Sequence, residues 1–173
     1  MHNYYQLLFK DGDGLGVAHA LTPPQVPLLP NLGFVKSWEP LQFELRDGKY
    51  PDYLSSDLGC RLCSERLRDI LDRYAPPLDA LQWLDVAVDN GAESRGYYVL
   101  HFPHPPDVLH AEKTVFAGDF VVKAVLSKHA AEGHRVFGYP NCGQLPVFIS
   151  EEVRQSLRKE KCTGIQIAGV PAV

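Results

Sequence analysis

The sequence lacks the features that direct a protein to a membrane or to a nucleic acid. No apolar run is long enough to cross a bilayer, and the opening MHNYYQLLFKDGDG lacks the basic start and continuous apolar stretch of a signal peptide. No block of basic residues occurs, and 17 Lys and Arg stand against 21 Asp and Glu, for a net charge of −4. Phosphate backbones attract basic surfaces. We therefore predict a cytoplasmic protein that binds neither membrane nor nucleic acid.

The short motifs of common catalytic and cofactor sites are also missing. The chain has no Gly-x-Ser-x-Gly nucleophile elbow, and no phosphate-binding glycine pattern precedes a helix. The stretch DGDGLG begins like a calcium loop, but an EF-hand loop needs a Glu at its twelfth position, and counting from Asp11 that position is Thr22. Because these motifs are missing, we predict no cofactor and no catalytic residue.

Cysteine is scarce, and two of the four thiols lie three residues apart in the stretch DLGCRLCSERLRDILDRY. Four thiols in the cytoplasm are expected to stay reduced, so they are free thiols or metal ligands. The helical period predicts a helix over Asp57–Tyr74, begun by the Ser-Ser-Asp cluster, with Cys60, Cys63, Leu67 and Ile70 on its apolar face. We therefore interpret both cysteines as packing residues of the core.

Two kinds of reactive centre stay open as alternatives. A redox dithiol needs a strand before its helix, and the segment before this one is typical of a loop. A zinc site needs Cys142 and Cys162 as further ligands, although neither belongs to a second Cys-x-x-Cys pair. A metal-dependent hydrolase using His101, His104 and Asp107, or the thiols, is the other alternative, although the histidines lack the spacing of a helical metal motif.

The remaining pattern predicts an α+β fold. With 173 residues, 45% hydrophobic and 22% charged, the chain fits one domain, residues 1–173. A second helix follows Ser150, with Gly164 placed to end it. Phe120–Leu126 fits a strand or a helix equally well. We predict a single domain with a mainly antiparallel sheet and two principal helices packed on it; the predicted strands are Tyr4–Lys10, Trp38–Leu45, Ala80–Val88, Gly96–Phe102, Arg135–Tyr139, Leu145–Ile149 and Ile165–Val170.

Several motifs carry a resemblance that spans nearly the whole chain. They are YYQLLF near the start, SWEPLQFELRDGKYPDYL over residues 37–54, CSERLRDIL over residues 63–71, RVFGY from Arg135, and PVFISEEVRQSLRKEKCTGI before the last strand. In their order they resemble a family of bacterial immunity proteins from polymorphic-toxin systems, first typified by a myxobacterial protein. The chain is thus expected to be one immunity-protein-like domain.

The resemblance implies a protein that binds and neutralises one cognate toxin, protects the producing cell and is not an enzyme. Its partner is expected to be a toxin protein encoded by a neighbouring gene. The family supplies no binding residues to transfer. As partner-facing positions we take the acidic residues of two predicted loops, because acids speed encounter with a basic toxin: Asp89, Glu93, Asp107 and Glu112. A structural or regulatory interaction module remains a third interpretation.

Overall fold

The computed structural model describes residues 3–12, 14–22, 28–140 and 146–173. In these residues strands dominate and the helices are short, and none of the helices is long and apolar enough to cross a membrane. The predicted mixture of sheet and helix is confirmed in outline, but not the predicted pair of principal helices, because three short helices are present. The strands are β1 (Tyr4–Phe9), β2 (Ala18–Ala20), β3 (Leu41–Leu45), β4 (Tyr53–Ser55), β5 (Arg61–Cys63), β6 (Gln82–Asp89), β7 (Ser94–His101), β8 (Val115–Ala117), β9 (Phe120–Lys123), β10 (Val136–Phe137), β11 (Val147–Ser150) and β12 (Ile165–Val170). The helices are α1 (Glu65–Tyr74), α2 (Lys128–Ala131) and α3 (Glu151–Lys159).

Six strands form a sheet that almost closes on itself. Their order is β2-β3-β6-β7-β5-β4, and neighbouring strands run antiparallel except for β3 and β6. The two edges meet because Ala18 of β2 forms a bridge with Ser56, the residue after β4. The side chains turned inward form one apolar core, whose fully buried members include Phe43, Leu62 and Val99.

Alternation along β6 explains how this sheet builds its core. In β6, QWLDVAVD, Leu84, Val86 and Val88 are buried, while the two aspartates are exposed. A period of two places one face of a strand in the core and the other toward solvent. β6 and β7 pair in antiparallel register along their whole length. The hairpin predicted from Ala80–Val88 and Gly96–Phe102 is therefore confirmed.

A second sheet has four antiparallel strands in the order β10-β11-β1-β12. β1 lies inside this sheet, so an early strand pairs with two late ones. One face carries Leu7, Val147 and Ile149 into a core shared with α1 and α3. The other face carries Phe148 toward Phe137 in a separate core. The first and last of the predicted strands are confirmed.

Serine side chains begin the two longer helices. Ser150 Oγ accepts a hydrogen bond from the N–H of Val153 at 3.5 Å, which confirms the predicted start of α3. Ser64 Oγ accepts one from the N–H of Leu67 at 3.2 Å and caps α1. Such a cap stabilises a helix by about 1 kcal/mol. α1 then buries Leu67 and Ile70 and packs against α3.

The helix predicted over Asp57–Tyr74 is wrong in its first half. Arg61–Cys63 form β5, which pairs with β4 and β7, and α1 begins only at Glu65. Gly59, before β5, has a φ of +70°, a left-handed conformation that ends rather than continues a helix. A strand of three residues is too short to show a period of two, so the helical period of the longer segment dominated the pattern.

Three predicted segments need smaller corrections. The strand predicted over Trp38–Leu45 begins only at Leu41. Pro40 precedes it, and a proline has no N–H to give to a strand ladder. The ambiguous segment Phe120–Leu126 forms β9 in its first four residues. The strand predicted over Leu145–Ile149 begins at Val147, and Leu145 lies outside the described ranges.

Gly164 does not end α3, contrary to the prediction. α3 ends at Lys159, and the left-handed residue that follows it is Lys161, with φ of +53°. Gly164 has φ of +76° and lies in the turn before β12, where a Cβ would stand 2.5 Å from the carbonyl oxygen of Tyr53. The glycine is therefore needed for close approach of two backbones.

A buried carboxylate, that of Asp52, holds together the starts of β4, α1 and β12. It accepts hydrogen bonds from Ser64 Oγ at 2.7 Å, the N–H of Thr163 at 2.8 Å and Thr163 Oγ1 at 3.1 Å. The guanidinium of Arg66 forms an ion pair with it. Burial acts to raise the pKa of this carboxyl, but the hydrogen bonds from Arg66, Thr163 and Ser64 outweigh burial and lower it.

Candidate partner-binding surface

Two of the predicted partner-facing residues lie where β6 turns into β7: Asp89 is the last residue of β6, and Glu93 lies in the turn. Asp89 Oδ1 accepts a hydrogen bond from the N–H of Gly91 at 2.6 Å, and the carboxylate of Glu93 pairs with Arg95 at 2.8 Å. The hydroxyl of Tyr50 donates to the carbonyl oxygen of Glu93 at 2.8 Å. Both residues therefore stabilise their own turn, and their contact with a partner stays a prediction.

Asp107 and Glu112 are exposed and lie beyond the other end of β7. β7 has eight residues, and a strand of that length extends roughly 27 Å. The four acidic residues thus fall into two groups along the chain rather than one continuous edge. Glu112 comes shortly before β8, so the second group borders the hairpin that β8 and β9 form.

The histidines of the predicted metal alternative are not arranged as ligands. His101 is buried at the end of β7, and its Nε2 lies 2.8 Å from the carbonyl oxygen of Gly33. Burial lowers the pKa of His101. His104 is exposed and packs edge-on against the ring of Phe34, with 5.3 Å between centroids. Among the described residues, no group of three or more His, Cys, Asp or Glu side chains is placed to hold a metal ion.

The two central cysteines are buried packing residues, as the sequence predicted, although they precede the helix instead of lying on it. Cys60 belongs to the core inside the six-stranded sheet, and Cys63 belongs to the core beneath α1. Burial raises the pKa of Cys60 and raises that of Cys63 to about 12, so both stay protonated at neutral pH. The partly exposed Cys162 has its pKa raised by burial to about 11. Cys142 lies outside the described residues.

Arg61 is a buried charged residue whose burial no sequence pattern predicts. Its guanidinium donates to the carbonyl oxygens of Leu100 at 3.0 Å and Pro146 at 3.3 Å, and it lies over the ring of Phe102, 5.1 Å from the centroid. Nε has no hydrogen-bond partner among the described residues. Burial lowers the pKa of this group. The contacts tie β5 to β7 and to the residue before β11, which is a structural role.

The hairpin of β8 and β9 exposes large apolar side chains that the sequence analysis did not single out. The exposed fractions are 49% for Val115, 49% for Phe116, 56% for Phe120 and 65% for Val122. Gly118, with φ of +59°, forms the tight turn between the strands. We name these four apolar residues the hairpin patch. In the described residues β8 and β9 pair only with each other, forming a separate two-stranded sheet.

The sequence contains a pattern that predicts the hairpin of β8 and β9, but none that predicts the exposure of its apolar side chains. Two apolar runs flank Gly118 and Asp119, a pair typical of two-residue hairpin turns. Continuous apolar runs usually indicate burial, because alternation with polar residues is what marks a strand with one solvated face. The hairpin patch departs from that rule. Large exposed apolar patches on soluble proteins usually mark interaction sites.

One comparison with known proteins gives a match, and it covers almost the whole fold. A search of curated proteins returned no match. A family model described as Immunity protein family (Imm11) matches residues 11–170, from the loop after β1 to the end of β12. This range contains β3, β4, α1, β10, β11 and α3, whose segments carry the resemblance seen in the sequence. Because the match covers far more than half of the chain, the protein belongs to the Imm11 family of immunity proteins.

Proposed function

We propose that this protein is an immunity protein of a bacterial polymorphic-toxin system, which binds one cognate toxin in the cytoplasm and neutralises it by contact. The observation that carries the proposal is the family match over residues 11–170. In this proposal one domain acts as a binding protein, catalyses no reaction and needs no cofactor. The toxin is expected to be encoded by a neighbouring gene.

The hairpin patch supports a role in contact with another protein. Two phenylalanines and two valines at these exposed fractions leave roughly 400 Å² of apolar surface in contact with water. This surface is divided between the two faces of the hairpin, because Phe116 pairs with Val121 whereas Phe120 pairs with Ala117. The largest apolar patch on a typical monomer covers roughly 300–600 Å² and is often functional. A specific complex buries about 800 Å² on each partner. One face of the hairpin therefore provides less than half of such an interface, and residues around the hairpin must provide the rest.

The acidic residues fit this surface unequally. Asp107 and Glu112 lie beside the hairpin in sequence and are exposed, so we propose them as rim contacts of the toxin. Asp89 and Glu93 hold the turn at the other end of β7 through local hydrogen bonds and an ion pair. We propose for these two a contribution to electrostatic steering, which acts at a distance and changes the association rate more than the dissociation rate.

The test of the function is protection by a defined toxin. The toxin domain of the neighbouring gene is expressed in cells with and without this protein, growth is followed, and the two purified proteins are mixed. We expect growth only with the immunity protein and a stable complex in solution. If the cells survive equally without the protein and the two purified proteins do not associate, the proposed function is wrong.

The test of the surface uses matched variants of single exposed residues. Phe120→Ser removes a ring from the hairpin patch, and Leu78→Ser removes an apolar side chain that is 58% exposed elsewhere, against 56% for Phe120. A buried aromatic anchor typically contributes 2 kcal/mol or more to an interface. We expect Phe120→Ser to weaken binding about thirtyfold and Leu78→Ser to leave it unchanged. Equal affinities of both variants would remove the hairpin from the interface.

A further inference from the structure

β12 is an edge strand without the usual protection against added strands. In the described residues it pairs with β1 alone and forms one border of the four-stranded sheet. Exposed edges are normally blocked by lysines, prolines or bulges, because unpaired N–H and C=O groups recruit further strands. The sequence of β12, IQIAGV, contains neither charge nor proline. The six-stranded sheet, by contrast, brings its two edges together.

The backbone groups of the open edge can be assigned from one hydrogen bond. The carbonyl oxygen of Gly164 accepts from the N–H of Lys10, the residue after β1, at 3.0 Å, so Gly164 turns its backbone groups toward β1. Successive residues of an extended strand direct these groups to opposite sides. Ile165, Ile167 and Gly169 therefore direct their N–H and C=O groups away from β1, to the open side.

Hydrogen bonds on both flanks agree with this assignment. The carbonyl oxygen of Thr163 accepts from the N–H of Tyr53 at 3.2 Å, and that of Pro171 accepts from the N–H of Leu126 at 2.8 Å. Both acceptors are odd-numbered, like the three residues that face outward. Between them, residues 165–169 form no backbone hydrogen bond on the open side with any other described segment. The open window thus offers three donors and three acceptors.

A groove runs beside this window, under the end of α3. It has a volume of about 280 Å³. Its lining combines an apolar floor with two exposed cations, and it consists of Leu157, Arg158, Lys161, Cys162, Ile165 and Ile167. A strand added to β12 would pass along this groove and place every second side chain in it.

The groove is basic on a protein whose net charge is −4. Arg158 and Lys161 form no ion pair with any described residue, whereas the nearby Glu160 is already paired with Arg73 at 3.0 Å. The two cations are therefore available to a carboxylate from outside. An acidic segment is attracted here and repelled by the acidic remainder of the surface.

We propose that β12 binds an extended segment of the toxin as an added strand, with an apolar side chain in the groove and an acidic side chain between Arg158 and Lys161. This inference rests on the proposed function. In strand addition the main-chain hydrogen bonds provide affinity, and pockets for alternate side chains provide specificity.

The first experiment removes one outward donor from the window. Gly169→Pro deletes the N–H that faces the open side, and a proline is compatible with an edge strand in that orientation. Gly169→Ala, the matched control, keeps the donor. Thermal unfolding of each variant alone establishes that it is folded, and calorimetry measures its affinity for the purified toxin domain of the neighbouring gene. We expect the proline variant to bind at least tenfold more weakly than the alanine variant, and equal affinities overturn the proposal.

The second experiment reverses the charge of the groove without touching the core. Arg158→Glu combined with Lys161→Glu is compared with Lys159→Glu, which changes an exposed lysine between these two positions that does not line the groove. We expect at least a tenfold loss of affinity for the double variant and less than a threefold loss for the control. If the double variant and Lys159→Glu lose the same amount of binding free energy for each reversed charge, the proposed contact between an acidic side chain and the groove is wrong.

The outcomes separate this inference from the proposed function. A toxin domain that binds the wild-type protein and all of these variants equally overturns strand addition and leaves the immunity function intact. A toxin domain that does not bind the wild-type protein overturns both. Sedimentation of the protein without toxin tests the other occupant of the edge: a dimer that Gly169→Pro dissociates assigns β12 to a second copy of the chain and overturns the proposal.

Discussion

Replacement of Asp52 by Asn tests whether the buried carboxylate holds three parts of the fold together. The change keeps the shape of the side chain, removes its charge, and places an amide donor among groups that already donate, those of Ser64, Arg66 and Thr163. Loss of one partner from a buried ion pair costs about 3–5 kcal/mol. The side chain of Arg66 is 48% exposed and regains water, so we expect the lower end of that range, about 3 kcal/mol.

The measurement is thermal and urea-induced unfolding followed by tryptophan fluorescence. In a chain of this length, 1 kcal/mol corresponds to about 2–4 °C, so Tm should fall by roughly 6–12 °C. Asp69→Asn is the matched control, because Asp69 lies on the surface of α1 with its side chain 55% exposed and, among the described residues, forms an ion pair with Arg68 alone. We expect that control to change stability by less than about 0.5 kcal/mol.

The pH dependence of the stability of Asp52→Asn tests whether the charge of Asp52 is what stabilises the fold. The folded-state pKa of Asp52 is lowered from the unfolded value near 3.8. The stabilisation from its charge is therefore complete above that value and is lost as the pH falls through the lower folded pKa. The stability difference between wild type and Asp52→Asn should be constant above about pH 5 and narrow below about pH 4. A difference under about 1 kcal/mol at neutral pH, or one that persists unchanged into acid, would refute the role assigned to the charge.

Two further predictions concern other buried groups. The thiols of Cys60 and Cys63 should react with a disulfide reagent at pH 8 only after unfolding, whereas the partly exposed Cys162 should react slowly in the native protein. Labelling of Cys60 or Cys63 in the folded state, located by mass spectrometry of peptides, would contradict their assignment as core residues. Asp79→Asn should destabilise the protein by about 3–5 kcal/mol in urea unfolding. Asp79 accepts hydrogen bonds from His134 and from the N–H groups of Arg135 and Val136, and the side chains of Asp79 and His134 are both buried. A loss of stability no greater than that of Asp69→Asn would show that the Asp79–His134 pair contributes little.

The parts of the fold that the sequence predicted are those whose signal is local. β6 has a period of two over its eight residues, turn residues join it to β7, and Ser150 precedes a helix with acids in its first turn. β5 was missed because pairing with β4 and β7 decides it, and those partners lie elsewhere in the chain. A strand of three residues carries no periodicity of its own.

The candidate site was harder to predict than the fold for a similar reason. The thiols were correctly placed in the core because small apolar groups among leucines indicate burial. Phe116 and Phe120 are exposed because no other described part of the chain covers them. A local sequence pattern carries no information about such distant packing. The open edge of β12 likewise follows from the order of strands in a sheet, and Arg61 is buried because of residues far from it in sequence.

The central position of β1 determines when a newly made chain can finish folding. Tyr4 pairs with both Ser150 and Val170, so the second sheet cannot assemble until those residues have left the ribosome. At about 5–20 residues per second, this interval lasts on the order of ten to thirty seconds. The six-stranded sheet, whose strands all lie between Ala18 and His101, can form during that time. The six-stranded sheet of a nascent chain can therefore be complete while β1 still lacks both of its neighbouring strands.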